Sequence, residues 1–259
     1  MDHSLKKHIL GYLSRGIRFD GRKSDQFRDI KIETNISDTA EGSAKVTLGG
    51  TIVIAGVKLS IDKPYPDMPD TGTLMIGTEL LPLSSPEFEP GPPSEQSIEI
   101  ARVTDRGIRE SQAIDTHALC IKSGEKAWTV MVDIVSINDE GGLLDASAIA
   151  TMAALKTARF PSFDGEKIDY RTKTDKRLPL VKIPISVTVY KIGDHFVVDP
   201  ISEEEKSADA RLTVASVDAN QLCALQKGGD SALSLKDVTT MIDLATEKAA
   251  ELRSIIQKL

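Results

Sequence analysis

Apolar residues along this chain switch between two spacings. Leu5, Ile9, Leu10 and Leu13 recur at helical intervals and predict a short amphipathic helix over 2–14, with Gly16 at its end. From Ile30 to Ile61 the period drops to two. Ile30 and Ile32 alternate, then Ala44, Val46 and Leu48, and Thr51–Ile61 is rich in Ile and Val, with Gly42 and Gly49–Gly50 as punctuation. Such runs predict consecutive antiparallel strands joined by short turns. Two Pro-rich segments, 62–72 and 84–94, predict surface loops flanking a strand over 72–83. Ser94 suits a helix N-cap, and Ile98, Ala101, Val103, Ile108 and Ile114 predict a helix from there to Ile114. Ile114–Lys122 and Lys126–Ile137 predict two strands around Ser123–Gly124; the second holds Trp128, the only tryptophan, as a core or interface residue.

The other elements are arranged around Val130–Phe160. A strand to Ile137 enters a turn, Asn138-Asp139-Glu140-Gly141-Gly142, and a run of Ala, Leu, Ile and Met without Gly or Pro follows to Phe160. This strand–glycine turn–helix is either a tight core connection or a place where backbone N–H groups face an anion. Residues 161–180 show little periodicity and many charges, as a connector would. Val181–Val189 and His195–Val198 predict strands around Gly193–Asp194, Leu212–Val217 and Gln221–Gln226 two more, and 235–259 a final helix. The order implies an α+β or mixed α/β fold in two related halves. There is no GxGxxG and no P-loop.

Composition narrows the options. The chain has 259 residues, 40% hydrophobic and 27% charged, enough for a sizeable core. No apolar run reaches membrane-spanning length, and MDHSLKKHIL lacks the apolar region of a secretory signal, so a cytoplasmic location is expected. Cys120 and Cys223 make no disulfide framework. The four histidines have no metal-ligand spacing with them, so no zinc site is expected. A net charge of −7 argues against a broad nucleic-acid surface but is compatible with a local basic patch.

Three clusters could carry chemistry. Arg18, Arg22 and Arg28 surround an Asp20–Gly21 turn, either as a solvated turn bonded to neighbouring carboxylates or as a subunit or RNA contact. Arg102, Arg106 and Arg109 share one helical face, either salt-bridged in solvent or binding phosphates. Asp199, Glu203, Glu204, Glu205 and Asp209 form the densest acidic stretch, a hydrated loop or a divalent-ion site. The residues alone favour a binding or scaffold role over an enzyme.

Five stretches in order resemble the RNase PH-like family: Arg18-Phe19-Asp20-Gly21-Arg22, GSAKVTLGGTIVIAGVK at 42–58, RVTDRGIRES at 102–111, DEGGLLDASAIATMAAL at 139–155 and GDSALSLKDVTTMIDLA at 229–245. The resemblance runs from about Gly16 to Leu259. It implies an α+β, RNase PH-like fold: two βαβ-type halves with mixed sheets and packed helices. The implied divisions are an N-terminal helix and basic arm at 1–28, a first half at 29–165, a connector at 166–186 and a second half at 187–259. Within the family the chain is most similar to the non-catalytic subunit type of the archaeal exosome. That similarity implies a hexameric ring of three heterodimers with a catalytic sister subunit, RNA-binding cap subunits and single-stranded RNA as partners. It implies no cofactor on this chain, since magnesium and inorganic phosphate would belong to the catalytic partner.

The resemblance also assigns residues. Catalytic members carry a small hydroxyl residue and an arginine after the glycine pair; here Leu143 and Leu144 stand there. Glu140, Gly141, Gly142, Leu143 and Leu144 therefore form a degenerate phosphate loop. Active members carry two acids six apart near the second-half turn, which Glu203 and Asp209 match as a vestigial acidic site. Arg102 and Arg106, followed by Arg109, correspond to helix arginines that reach RNA. Arg18 and Arg22, from the basic character of their own segment rather than from the resemblance, remain candidates for an interface or RNA arm.

Overall fold

A computed structural model of the chain describes residues 3–259. The first helix, α1 (His3–Leu13), lays Ile9 and Leu13 against Tyr190, Ile192 and Val197. Strands β1 (Ile30–Thr34), β2 (Gly42–Leu48), β3 (Thr51–Asp62) and β4 (Thr73–Leu80) follow, then α2 (Glu95–Glu110). In β3, buried and half-buried residues alternate strictly over its first ten residues, as a strand with one core face requires. Ser94 caps α2 by accepting the Ser97 N–H, as its sequence position suggests.

Next come β5 (Cys120–Lys122), β6 (Lys126–Asn138) and α3 (Leu143–Thr157). The first sheet runs β1-β2-β3-β6-β4, with β5 also on β6. All its pairings are antiparallel except β4 with β6, which α2 connects. The second half holds β9 (Ile185–Ile192), β10 (His195–Val198), α4 (Ser202–Lys206), β11 (Ala210–Ser216), β12 (Leu222–Gly228) and α5 (Leu235–Gln257). Its antiparallel sheet runs β10-β9-β11-β12. Every residue of α3 from Leu143 to Leu155 is buried, because the helix packs on β2 and β3 of one sheet and on β9 of the other. A helix buried on all sides and mostly apolar is what such a sandwiched position demands.

Four expectations need correction. The α2 helix stops at Glu110, because Ala113 and Ile114 turn to meet Val181 and Leu180. Of the strand expected over 114–122, only β5 forms. The α3 helix ends at Thr157, and Phe160 enters a strand where its ring meets Trp128 edge-on. The featureless connector is a hairpin of β7 (Arg159–Phe163) and β8 (Ile168–Arg177). The expected 166–186 connector thus contains all of β8 and the first two residues of β9. The hairpin escaped periodicity because β8 is exposed on both faces and bulged, so no apolar alternation marks it.

Candidate functional site

The glycine turn between β6 and α3 is the first candidate. Gly141 and Gly142 have φ of 87° and 74°, the left-handed region that glycine occupies without a Cβ penalty. An added Cβ at Gly141 would lie 2.5 Å from the Pro200 carbonyl, so the turn is also held against the second half. Thr51 fastens it from β3: its hydroxyl donates to the Gly141 carbonyl (2.7 Å) and accepts the Glu140 N–H (3.0 Å). Leu143 and Leu144 are 3% and 7% exposed and belong to the core. They present no side-chain donor to solvent.

The turn's two glycine N–H groups both meet carboxylates of the chain itself, that of Gly141 an Asp139 oxygen at 2.9 Å. The Gly142 N–H donates to a Glu205 carboxylate oxygen at 3.1 Å, and the Tyr190 hydroxyl donates to the other oxygen at 2.9 Å. Burial pushes the Glu205 pKa up, against the pull of these two hydrogen bonds and of the Arg211 charge. Burial raises the Tyr190 pKa well above its ordinary value, and the Glu205 charge adds to that shift. Asp145, in the first turn of α3, is fully buried and accepts the Thr188 N–H (2.8 Å) on one oxygen only. Its pKa is raised well above the usual carboxylate range, chiefly by that burial.

The acidic segment is not a hydrated loop. It forms α4, which carries Glu205 to the turn and leaves Asp199 and Glu204 0% and 1% exposed. Glu203 and Asp209 do not converge. Glu203 is exposed, whereas Asp209 is ion-paired with Lys6 and accepts the Gly193 N–H. The residue six after Glu205 is Arg211, a cation ion-paired with Glu99 of α2. Thus the six-residue spacing does reach the loop, but from Glu205, and its second position is basic. Among the described residues, no group of three or more His, Cys, Asp or Glu side chains could hold a metal ion.

The basic arm at 18–28 is turned inward. Arg18 is 1% exposed; its guanidinium is paired with Glu204 and donates to the Val198 and Asp199 carbonyls, each at 2.8 Å. Arg22 bridges Asp20 and Asp199 at 2.6 and 2.9 Å. Arg28 reaches Asp199 at 2.6 Å and donates to the Glu140 and Gly141 carbonyls of the turn. Arg18 and Arg22 are therefore not a free interface or RNA arm. They satisfy carboxylates some 180 residues away, which no local pattern could reveal. Through Arg28 the arm ties the second half to the glycine turn.

The arginine row on α2 is split. Arg109 is ion-paired with Asp105 at 2.7 Å and donates to the Leu74 carbonyl, and the Asp105 hydrogen bond raises its pKa. Arg102 and Arg106 are exposed, and among the described residues neither has an ion-pair or hydrogen-bond partner. Arg106 borders β11 and β12 beside Leu225 and Gln226. Sequence reasoning missed Glu205, Arg211, Arg28 and Asp199 as the groups that shape the turn. The six-residue spacing could have pointed to the first two.

The chain was compared with known proteins. Residues 26–161 match the 3′ exoribonuclease family, domain 1, and residues 182–248 match its domain 2. The exosome complex component Rrp42 of Methanosarcina acetivorans is 46% identical over 253 residues, covering 96% of this chain and 92% of that protein. Its namesake from Thermococcus gammatolerans is 43% identical, covering 97% and 93%. Among solved structures, a subunit of the Archaeoglobus fulgidus exosome with RNA bound to the active site superposes with a TM-score of 0.89 at 43% identity, covering 97% of each chain. An archaeal exosome core chain gives 0.86 at 39% identity, covering 98% of this chain and 96% of that one. With both domains matched in order and full-length relatives above 40% identity, this chain belongs to the RNase PH-type 3′ exoribonuclease family.

Proposed function

We propose that the chain is a non-catalytic subunit of an exosome-type ring that degrades RNA from its 3′ end by phosphorolysis. It alternates with a catalytic sister subunit in a hexamer of three heterodimers, which carries RNA-binding cap subunits and works in the cytoplasm. Its part is to brace the sister's active site and to hold single-stranded RNA through Arg102 and Arg106.

The observation that carries this reading is the occupied glycine turn. The Gly142 N–H faces the Glu205 carboxylate, and the residues after the glycine pair are core leucines. A second anion brought there would meet that carboxylate and find no cation in Leu143 or Leu144 to neutralise it. Arg211, six after Glu205, offers no acid to protonate a leaving group. Magnesium and inorganic phosphate are accordingly assigned to the sister subunit. Arg102 and Arg106, by contrast, keep their donors free for phosphate oxygens.

The test is phosphate-dependent RNA degradation by this chain alone, by a catalytic sister subunit alone and by the two together. Release of nucleoside diphosphates by the isolated chain would refute the non-catalytic role. Replacing Arg102 and Arg106 with Glu should leave assembly intact and weaken RNA binding by the reconstituted ring. Unchanged affinity and turnover would refute the RNA-holding role.

A further inference from the structure

The β7–β8 hairpin and the residues beside it are rich in cations. Residues 156–182 hold eight basic and four acidic side chains in a chain whose net charge is −7. Three of the four acids do little to neutralise the eight cations. Asp164 spends its carboxylate on the Glu166 and Lys167 N–H groups of the turn, and Asp169 on the Arg171 N–H. Asp175 faces Arg159 at 3.3 Å but is fully exposed, where such a pair is weak. Arg171, Lys173 and Arg177 are exposed and form no ion pair among the described residues.

The cations are also crowded in ways that cost stability. Arg159 and Arg177 stand directly opposite each other in the β7–β8 register, where like charges repel. Burial and then the Arg177 charge lower the Lys156 pKa. Fold stability does not explain such an arrangement, whereas a polyanion would relieve it. β8 has ten residues against five in β7, and because both ends are paired (Ile168 with Phe163, Arg177 with Arg159) the surplus is taken up in bulges, one of which holds Arg171 between Asp169 and Lys173. Two residues of chain span at most about 7 Å, so Arg171 and Lys173 stand close enough together for neighbouring phosphates of a charged polymer. Beside them, Tyr170 is 43% exposed, with the Lys58 ammonium 4.6 Å from its ring centre, leaving aromatic surface for a stacked base.

We infer that the β7–β8 hairpin is a second RNA-contacting surface, which takes the phosphate backbone of a single strand on Arg171, Lys173 and Arg177. The choice of RNA as the polyanion rests on the function proposed above; the unneutralised charge does not. This surface lies on a different element from Arg102 and Arg106, so it acts on RNA long enough to reach both.

The experiment uses the ring reconstituted with its sister subunit and carrying Arg171→Glu with Lys173→Glu. Both side chains are exposed, and an unchanged melting temperature verifies the fold. Binding of short and long unstructured RNA is titrated over a range of salt concentrations. For long RNA, affinity falls and the slope of log affinity against log salt shrinks by about 1.4, roughly 0.7 for each lost phosphate contact. Short RNA binds as before, and Arg171→Lys with Lys173→Arg restores the long-RNA slope. An unchanged slope and affinity for long RNA would overturn the inference. So would failure of the charge-reversed chain to assemble, which would make the hairpin a docking surface for an acidic protein. Arg102→Glu with Arg106→Glu, measured in parallel, reports on the proposed function independently.

Discussion

Asp199→Asn is the most direct probe of how the two halves are held on the glycine turn. The Asp199 side chain is wholly buried, at a positive φ of 46°. Its carboxylate takes Arg22 at 2.9 Å, the Arg28 guanidinium at 2.6 Å and the Arg28 backbone N–H at 2.7 Å. The two guanidinium-bearing side chains are only 10% and 8% exposed, so water cannot replace the lost charge. Breaking a buried pair by neutralising one partner costs about 3–5 kcal/mol, and the low end applies because asparagine keeps one acceptor oxygen. Asparagine also tolerates the left-handed backbone, so the variant isolates the charge. At 2–4 °C per kcal/mol for a chain of this size, a loss of about 3 kcal/mol lowers the melting temperature by about 6–12 °C. Asp199→Ala adds roughly 1–2 kcal/mol for a non-glycine residue in that backbone region. Asp105→Asn, which breaks the exposed Arg109 pair, is the control and costs about 0.5 kcal/mol or less. Calorimetry or urea titration measures all three. A cost below about 1 kcal/mol for Asp199→Asn, or an alanine variant no worse than the asparagine one, would refute the reasoning.

Two further outcomes follow from the same geometry. Leu144→Arg, the arginine that the resemblance places in catalytic members, should unfold the chain before activating it. Leu144 is 7% exposed in the core, and an unpaired charge there costs at least about 3 kcal/mol, read as a lost or strongly lowered unfolding transition. Asp237 gives a pH dependence. The Lys191 ammonium at 2.7 Å, then the Ser234 backbone N–H and hydroxyl, hold its pKa down from 3.8 to about 2. A depressed carboxylate stabilises the fold above its unfolded pKa and loses that contribution as pH falls through its folded one. Asp237→Asn should therefore flatten the decline of melting temperature between about pH 4 and 2; a decline as steep as in the unaltered chain would exclude this linkage.

The sequence alone determined the elements with a periodic signature and the local chemistry of their ends. The alternation in β3, the Ser94 cap of α2, the glycine turn and the apolar run of α3 are all properties of neighbouring residues. Nearness in the chain sets which face they bury and which φ they require. The family resemblance, carried by five such local stretches, was legible for the same reason. The exposed state of Arg102 and Arg106 followed from one helical face.

Tertiary structure decided which charges meet. Glu204 and Asp199 become buried only because Arg18, Arg22 and Arg28 arrive from far along the chain, and an isolated acidic run cannot announce a distant partner. Arg109 differs from its two row-mates because the Leu74 carbonyl and Asp105 flank it. The hairpin at 159–177 forms without apolar periodicity, since its packing rests on Trp128, Phe160 and Phe163 at one side. Above all, the glycine turn had two readings in the sequence, a core connection or an anion site. The fold places Glu205 on the Gly142 N–H and Leu143 and Leu144 in the core, so the turn connects core elements and its Gly142 N–H meets the chain's own carboxylate. Burial and Coulomb pairing depend on three-dimensional neighbours, and only the folded chain supplies those.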